Sequence, residues 1–127
     1  MPGIGGAFLS SHDPQRLVQW FADALGIPMM EKDGGGWAMF QSGDAVAILS
    51  VQAARKDAPR PPAGPVTAEP YGRQTMMLNL RVEDLDATMR RLKEHGAMVA
   101  GPQAYEGIGR FAWTRTPDGH DIELWQP

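Results

Sequence analysis

The chain repeats one pattern of sequence signals, and this repeat restricts the folds that it can adopt. Asp13-Pro14 supplies a helix N-cap and a proline at the first helical position, and Gly26 follows as the C-cap. Asp84 and Gly96 bracket a second helix in the same way. An apolar run precedes each helix and three short strand-like runs follow it. The sequence therefore predicts two copies of a strand–helix–strand–strand–strand module.

The strands are predicted from apolar or alternating runs that are separated by turn signals. In the first copy, the predicted strands cover residues 4–9, 29–32, 37–41 and 45–51, with a turn over 33–36. In the second copy, they cover residues 75–82, 98–100, 110–115 and 121–125, with turns at 101–102 and 116–119. The predicted class is α+β, built from two βαβββ modules.

A proline-rich stretch separates the two copies. Residues 53–72 include Pro59, Pro61, Pro62, Pro65 and Pro70. Proline lacks an amide hydrogen, so this stretch cannot form a helix or a central strand, and we expect an exposed linker or flap. We expect one domain over residues 1–127, composed of a first module at 1–52, the linker at 53–72 and a second module at 73–127.

Composition excludes several classes of function. The formal net charge is −3, which does not favour nucleic-acid backbones or anionic membranes. The chain has no cysteine, so disulfides, thiolate metal sites and cysteine nucleophiles are excluded. Its first residues do not show the pattern of a secretion signal, and no apolar run approaches the ~18 residues of a membrane span. We therefore expect a cytoplasmic protein that binds neither nucleic acid nor membrane.

Three motifs resemble those of the vicinal-oxygen-chelate superfamily, which includes glyoxalase I, bleomycin resistance proteins and extradiol dioxygenases. They are the first helix from Asp13 to Ile27, the start of the second helix at Val82–Ala87, and the closing segment Thr116–Trp125. The last resembles the family's aspartate-glycine turn ahead of Ile-Glu-Leu. This resemblance implies two cupped, mixed, four-stranded sheets and a homodimer.

The resemblance also indicates where a metal would bind. Metal-dependent members use His and Glu residues on the first, fourth, fifth and eighth strands, and the corresponding residues here are Gly6, Ile48, Met77 and Glu123. Only Glu123 has a side chain that coordinates a hard or borderline divalent ion. None of the three histidines falls in these strands. We therefore expect no metal ion and no other cofactor.

Glu123 is the candidate catalytic or ligand-anchoring residue. As a cavity-facing carboxylate with few partners it could act as an acid or base, whereas an arginine such as Arg81, Arg110 or Arg115 could instead neutralise it. Further side chains are candidates for contacting a ligand because they occupy the lost metal positions, lie on strands, or flank the glycine-bearing loop 105–110. They are Gly6, Ile48, Met77, Trp37, Trp113, Tyr105 and Arg110.

These observations leave three functions open. The first is a metal-free protein that binds a small organic molecule in the cavity of its cupped sheets, as bleomycin resistance proteins do. The second is a metal-independent lyase or isomerase that acts on a small carbonyl compound through Glu123. The third is a metal-dependent glyoxalase or dioxygenase with atypical ligands. The first function is favoured, because it does not need the metal-binding side chains that this sequence lacks.

Overall fold

The computed structural model describes residues 3–60 and 63–127, so Pro61 and Pro62 of the predicted linker lie outside the described residues. The chain divides into two compact units between Pro59 and Arg60. Within the described ranges, no helix is long and apolar enough to cross a membrane. Each unit contains one helix and one four-stranded sheet.

The first unit follows the predicted order of elements. They are β1 (Gly6–Ser11), α1 (Pro14–Leu25), β2 (Met30–Lys32), β3 (Gly35–Ser42) and β4 (Ala45–Ala53). The strand order in the sheet is β1-β4-β3-β2. β1 lies parallel to β4, whereas the other two pairs are antiparallel. The sheet is therefore mixed, as predicted.

The second unit repeats this arrangement. Its elements are β5 (Leu78–Arg81), α2 (Leu85–Glu94), β6 (Val99–Tyr105), β7 (Gly109–Arg115) and β8 (Asp121–Gln126). The strand order is β5-β8-β7-β6, again with one parallel pair, β5 and β8. Two βαβββ modules of the α+β class are thus confirmed.

Aspartate caps begin both helices, as the sequence predicts. The Asp13 carboxylate accepts a hydrogen bond from the Arg16 amide at 3.2 Å, and that of Asp84 accepts one from the Ala87 amide at 3.0 Å. Each bond satisfies an amide that has no partner within its helix. Gly26 ends α1 in the left-handed conformation, with φ of 67°. Glycine adopts this conformation without strain because it has no Cβ.

Each helix covers one face of its own sheet. Leu17, Val18 and Phe21 of α1 are buried, and a Cβ added at Gly36 of β3 would lie 3.1 Å from the Val18 side chain. In the second unit, Gln126 accepts a hydrogen bond from the Leu85 amide at the start of α2. Since side chains alternate along a strand, Glu123 lies on the face of its sheet opposite α2. We call the face opposite each helix the open face.

Several segments differ from the sequence-based prediction. β1 spans Gly6–Ser11 rather than 4–9, and β4 continues to Ala53, the first residue of the predicted linker. α2 ends at Glu94 with His95 as its C-cap, one residue before the predicted Gly96.

Gly35 and Gly36 belong to β3 rather than to the turn before it. Gly101-Pro102 is not a turn, because β6 continues through it with a register shift between Ala100 and Gln103. An edge strand accommodates a proline at such an irregularity, and β6 is at the sheet edge.

The predicted strand over 75–82 is also too long, since β5 begins at Leu78. The side chain of Gln74 explains the difference. It donates to the Asp121 carbonyl at 2.8 Å and accepts from the Asp121 amide at 3.0 Å. These two bonds satisfy the Asp121 backbone with a side chain instead of with a neighbouring strand. The regular pairing of β5 with β8 therefore begins only at Leu78.

Candidate functional site

The open face of the second sheet holds a polar row in an apolar setting. Asn79 of β5, Glu123 of β8 and Trp113 of β7 are cross-strand neighbours. They lie on one face because their positions are directly opposed in register. Trp113 is fully buried, and the Glu123 residue is 8% exposed. The row places a carboxylate against an indole in a largely dehydrated position.

Three described side chains donate hydrogen bonds to the Glu123 carboxylate. Trp113 Nε1 donates to Oε1 at 3.0 Å, and Asn79 Nδ2 donates to Oε2 at 2.7 Å. The Tyr71 hydroxyl also donates to Oε1. All three donors are neutral, so they orient the carboxylate and stabilise its charge without cancelling it. The arrangement is a fixed, anionic hydrogen-bond acceptor.

Tyr71 belongs to a segment that crosses the second unit without forming a helix or strand. We call residues 63–74 the strap. Arg115 donates to the Gly64 carbonyl, and Arg73 Nη1 donates to the Pro65 carbonyl at 2.7 Å. Both arginines also pair with the buried Asp121, at 2.8 Å for Arg115 and 3.7 Å for Arg73. These bonds tie the strap to one end of β7 and β8.

A second set of contacts holds the middle of the strap. Glu69 accepts hydrogen bonds from the Tyr105 hydroxyl and, at 3.0 Å, from Gln103 Nε2. Both donors lie on β6. The strap therefore lies on the open face. The sequence predicts an exposed linker or flap for most of this segment, but not its position on the sheet.

Aromatic rings lie in the row of the carboxylate and in the neighbouring row of the same face. Tyr71 packs edge-on against Trp113, with ring centroids 6.5 Å apart. In the neighbouring row, Phe111 and Trp125 stack at 6.3 Å with an angle of 19° between their planes. Tyr105 meets the Phe111 ring edge-on at 5.3 Å. This combination of apolar walls and one placed polar group is typical of small-molecule sites.

The environment of the Tyr71 hydroxyl raises its pKa to about 12, through desolvation, then the hydrogen bond to Glu123 and the negative charge of that carboxylate. Although 58% of the tyrosine is exposed, its hydroxyl lies against the buried Glu123. The phenol in the folded protein therefore keeps its proton at pH values where a free phenol loses it.

This shift predicts a loss of stability in alkaline solution. An unfolded tyrosine ionises near pH 10, so between about pH 10 and 12 the unfolded chain binds fewer protons than the folded chain. The stabilising contribution of Tyr71 is complete below this range and falls as the pH rises through it. Denaturant unfolding across these pH values should show the decline in the wild-type protein. Tyr71→Phe should flatten that part of the profile, and an unchanged profile would contradict the assignment.

The structure brings some of the predicted site residues together. Trp113 contacts Glu123 directly, Tyr105 contacts the strap, and the half-buried Met77 lies just before β5. Arg110 instead pairs with Asp86 of α2 at 2.9 Å, on the face opposite Glu123. The hydrogen bond and charge of Arg110 hold the pKa of Asp86 below its ordinary value. The structure therefore gives Arg110 a partner on the helix side of the sheet.

The candidate residues of the first unit lie on the open face of their own sheet. Gly6 and Ile48 are cross-strand partners, and a Cβ at Gly6 would collide with the Ile48 carbonyl. Glycine at this position is thus required by the close approach of β1 and β4. Trp37 lies opposite Ser50, which in turn lies opposite Phe8.

The registers of the two sheets identify residues that the sequence pattern did not indicate. Phe8 and Asn79 lie equally far before their N-cap aspartates, and they pair with Ser50 and Glu123. By this register Ser50, rather than Ile48, corresponds to Glu123. Asn79 could have been recognised as a site residue from the sequence, because it is a polar residue between the apolar Leu78 and Leu80 of a predicted strand. Tyr71 has no such signal, because it follows the prolines of an irregular segment.

The side chains around Glu123 do not fit a divalent metal ion. Asn79 and Trp113 direct N–H groups at the carboxylate, and an N–H group cannot coordinate a cation. Over residues 3–60 and 63–127, no three histidine, aspartate or glutamate side chains are grouped so that they could hold a metal ion. Whether the protein as a whole is free of metal stays a prediction.

Solved structures resemble this chain over nearly its whole length. TnmS3, an antibiotic binding protein from Streptomyces sp. CB03234, is 24% identical, with a TM-score of 0.66 and coverage of 100% of this chain and 97% of that chain. A glyoxalase/bleomycin resistance protein from the same source is 25% identical, with a TM-score of 0.61 and coverage of 96% and 99%. Lactoylglutathione lyase from Agrobacterium tumefaciens is 17% identical, with a TM-score of 0.60 and coverage of 99% and 94%.

These similar folds include one protein described as a binder and one described as an enzyme, so the fold does not decide between the two activities. No curated protein matches the chain. The family described as the Glyoxalase/Bleomycin resistance protein/Dioxygenase superfamily matches residues 3–124. Its match spans both repeated modules and most of the closing motif, and the chain therefore belongs to this superfamily.

Proposed function

We propose that the protein binds a small, planar organic molecule on the open face of the second sheet, with Glu123 as its polar anchor and without a metal ion. The observation that carries this proposal is the fixed carboxylate within an aromatic wall. Glu123 has three neutral donors, and Trp113, Phe111 and Trp125 provide apolar surface beside it. Such a site can bind and orient a ligand.

The antibiotic-binding neighbour supports the same reading. TnmS3 is described as an antibiotic binding protein, and we propose by analogy that this chain binds a small organic molecule. A ligand of this kind would gain most of its affinity from burying apolar surface on the aromatic rings. Glu123 would add direction, because a carboxylate in a dehydrated site accepts hydrogen bonds strongly.

The alternative is a metal-independent lyase or isomerase in which Glu123 takes a proton from a carbon next to a carbonyl. A general base needs a lone pair that points at the substrate. Here Oε1 accepts two hydrogen bonds and Oε2 accepts one, from donors that include two strand residues. These bonds orient the carboxylate for either role, and the response of turnover to Glu123→Gln decides between them.

A thermal-shift screen with planar aromatic compounds tests the proposal. A ligand present at about 100 times its Kd stabilises the folded state by about 2.7 kcal/mol, which raises the melting temperature by several degrees. Glu123→Gln and Phe111→Ala should each reduce the shift. Arg90→Gln, on the exposed surface of α2, is the matched control and should leave it unchanged.

The same variants separate the proposal from its alternatives. Turnover of a carbonyl compound that Glu123→Gln abolishes, with binding retained, would establish the enzyme instead. A shift equally insensitive to Glu123→Gln and Phe111→Ala would place the ligand elsewhere. Elemental analysis of the purified protein tests the third function, since about one tightly bound zinc, nickel, iron or manganese per chain would indicate a metal-dependent enzyme.

The predicted homodimer is a separate expectation, tested by the mass of the protein in solution.

A further inference from the structure

We propose that the Tyr71 hydroxyl occupies the place of a ligand hydroxyl on Glu123, and that the natural ligand is a phenol or similar hydroxyl-bearing aromatic compound that displaces Tyr71. This inference rests on the proposed function, because it names the chemical class of the molecule bound on the same face. It depends on how readily each donor can leave Glu123, on what replaces a departed donor, and on the rings that remain.

The donors to Glu123 differ in how firmly they are held. Trp113 and Asn79 lie on β7 and β5, and Trp113 is fully buried. Trp113 cannot leave without disturbing the packed sheet, whereas the exposed Asn79 has its backbone fixed by the pairing of β5 with β8. Tyr71 lies on the strap, and 58% of it is exposed. It is therefore the donor whose departure disturbs the least structure.

The backbone around Tyr71 adds to this difference. Glu69 has φ of 52° and Gly72 has φ of 86°, so left-handed residues lie on both sides of the tyrosine. This conformation is unfavourable for glutamate, which has a Cβ. The anchors of the strap nearest to Tyr71 are Glu69, which accepts hydrogen bonds from β6, and Arg73, which pairs with Asp121. Residues 70–72 lie between these anchors and can rearrange while both of them stay in place.

The carboxylate sets the chemistry of whatever replaces Tyr71. Glu123 is buried, so losing a donor would leave part of its charge unsatisfied at a substantial energetic cost. A ligand that displaces Tyr71 must therefore bring an O–H or N–H group of its own. An ether cannot do so, and an anionic ligand would place a second negative charge beside Glu123.

The ring of Tyr71 points to the rest of the ligand. It forms a T-shaped pair with Trp113, and the Phe111–Trp125 stack occupies the next row of the same face. An aromatic ring bearing a hydroxyl would satisfy both features by placing its oxygen on Glu123 Oε1 and its ring against Trp113. A phenol matches Tyr71 in both respects, which is why we infer this class over aliphatic alcohols.

Three matched probes test the inference by titration calorimetry: β-naphthol, its methyl ether, and naphthalene carboxylate. We expect β-naphthol to bind the wild-type protein at least tenfold more tightly than the other two. In Tyr71→Ala the competing hydroxyl is gone, so β-naphthol should bind about tenfold more tightly still, while the methyl ether gains little. Adding Glu123→Gln to Tyr71→Ala should remove most of the preference for the naphthol.

Two further measurements protect the test against unfolding and against binding elsewhere. Tyr71→Phe keeps the ring and removes only the hydroxyl, so it should shift β-naphthol affinity in the same direction if Tyr71→Ala folds poorly. Hydrogen exchange of the strap should become faster when β-naphthol binds, because the ligand displaces Tyr71. Slower exchange would mean that the strap closes over the ligand, which would overturn the inference.

The remaining outcomes distinguish this inference from the proposed function. Equal affinities for β-naphthol and its methyl ether, both reduced by Phe111→Ala, would overturn the role of Tyr71 and leave binding on this face intact. If none of the three probes binds to the wild-type protein or to Tyr71→Ala, the inference that the ligand is a phenol is wrong. The screen with varied aromatic compounds would then decide the proposed function on its own.

Discussion

Replacing Asp121 with alanine is expected to lower the free energy of unfolding by about 3–5 kcal/mol, because it leaves a buried ion-pair cluster without its anion. The Asp121 side chain is 3% exposed, and it pairs with Arg115, whose side chain is 9% exposed. Arg73 approaches the other carboxylate oxygen at 3.7 Å. Without Asp121, two guanidinium groups would face each other at the base of the strap. Urea-induced unfolding measures the change directly.

Asp86→Ala is the matched control for this prediction. Asp86 also pairs with an arginine, Arg110, at 2.9 Å, but its side chain is 63% exposed. Water and salt screen such a pair, so its removal should have a much smaller effect. Equal effects of the two substitutions would show that the buried position of Asp121 does not matter. Faster hydrogen exchange in the strap of Asp121→Ala would confirm that the cluster holds this segment.

Replacing Phe21 with alanine should lower the free energy of unfolding of the first unit by about 3–5 kcal/mol. Phe21 of α1 is fully buried among the apolar residues of the helix and its sheet. Its removal forfeits the burial of a large ring and leaves a cavity that the close-packed core closes only in part. Denaturant unfolding followed by circular dichroism measures the effect.

Trp20→Ala provides the control on the neighbouring residue. The rings of Trp20 and Phe21 meet edge-on at 5.4 Å, but Trp20 is only half-buried. Its loss should therefore cost clearly less than the loss of Phe21, even though tryptophan is the larger side chain. A greater loss for Trp20→Ala would contradict the packing of α1 described above.

The fold could be predicted from local signals because each helix and strand of the two modules is indicated by its own residues. Asp13, Asp84 and Gly26 act on the backbone next to them, and the apolar spacing of each helix depends only on its own sequence. The differences arose where a distant residue changed the outcome. Gln74 bonds Asp121, so β5 starts later than predicted. β6 runs through Gly101-Pro102 because its pairing with β7 shifts register there.

The candidate site was predictable only in part. Glu123 stands in a recognisable motif, and the buried partner Trp113 lies on a predicted strand. Asn79 could be inferred only after the register of β5 against β8 was fixed, since cross-strand partners are far apart in sequence. The prediction that an arginine could neutralise Glu123 did not anticipate the neutral donors that the structure reveals.

Local sequence signals were enough to predict the repeated βαβββ modules, the start of each helix and the identity of Glu123 as the one carboxylate among the residues aligned with the family's metal positions. These features follow from local conformational preferences and a short motif. The surroundings of that carboxylate depend on tertiary contacts. Tyr71 reaches Glu123 from a segment without helix or strand, and no periodicity encodes where such a segment lies. Its position depends on the long-range bonds of Arg73, Arg115 and Asp121, which form only when the chain has folded.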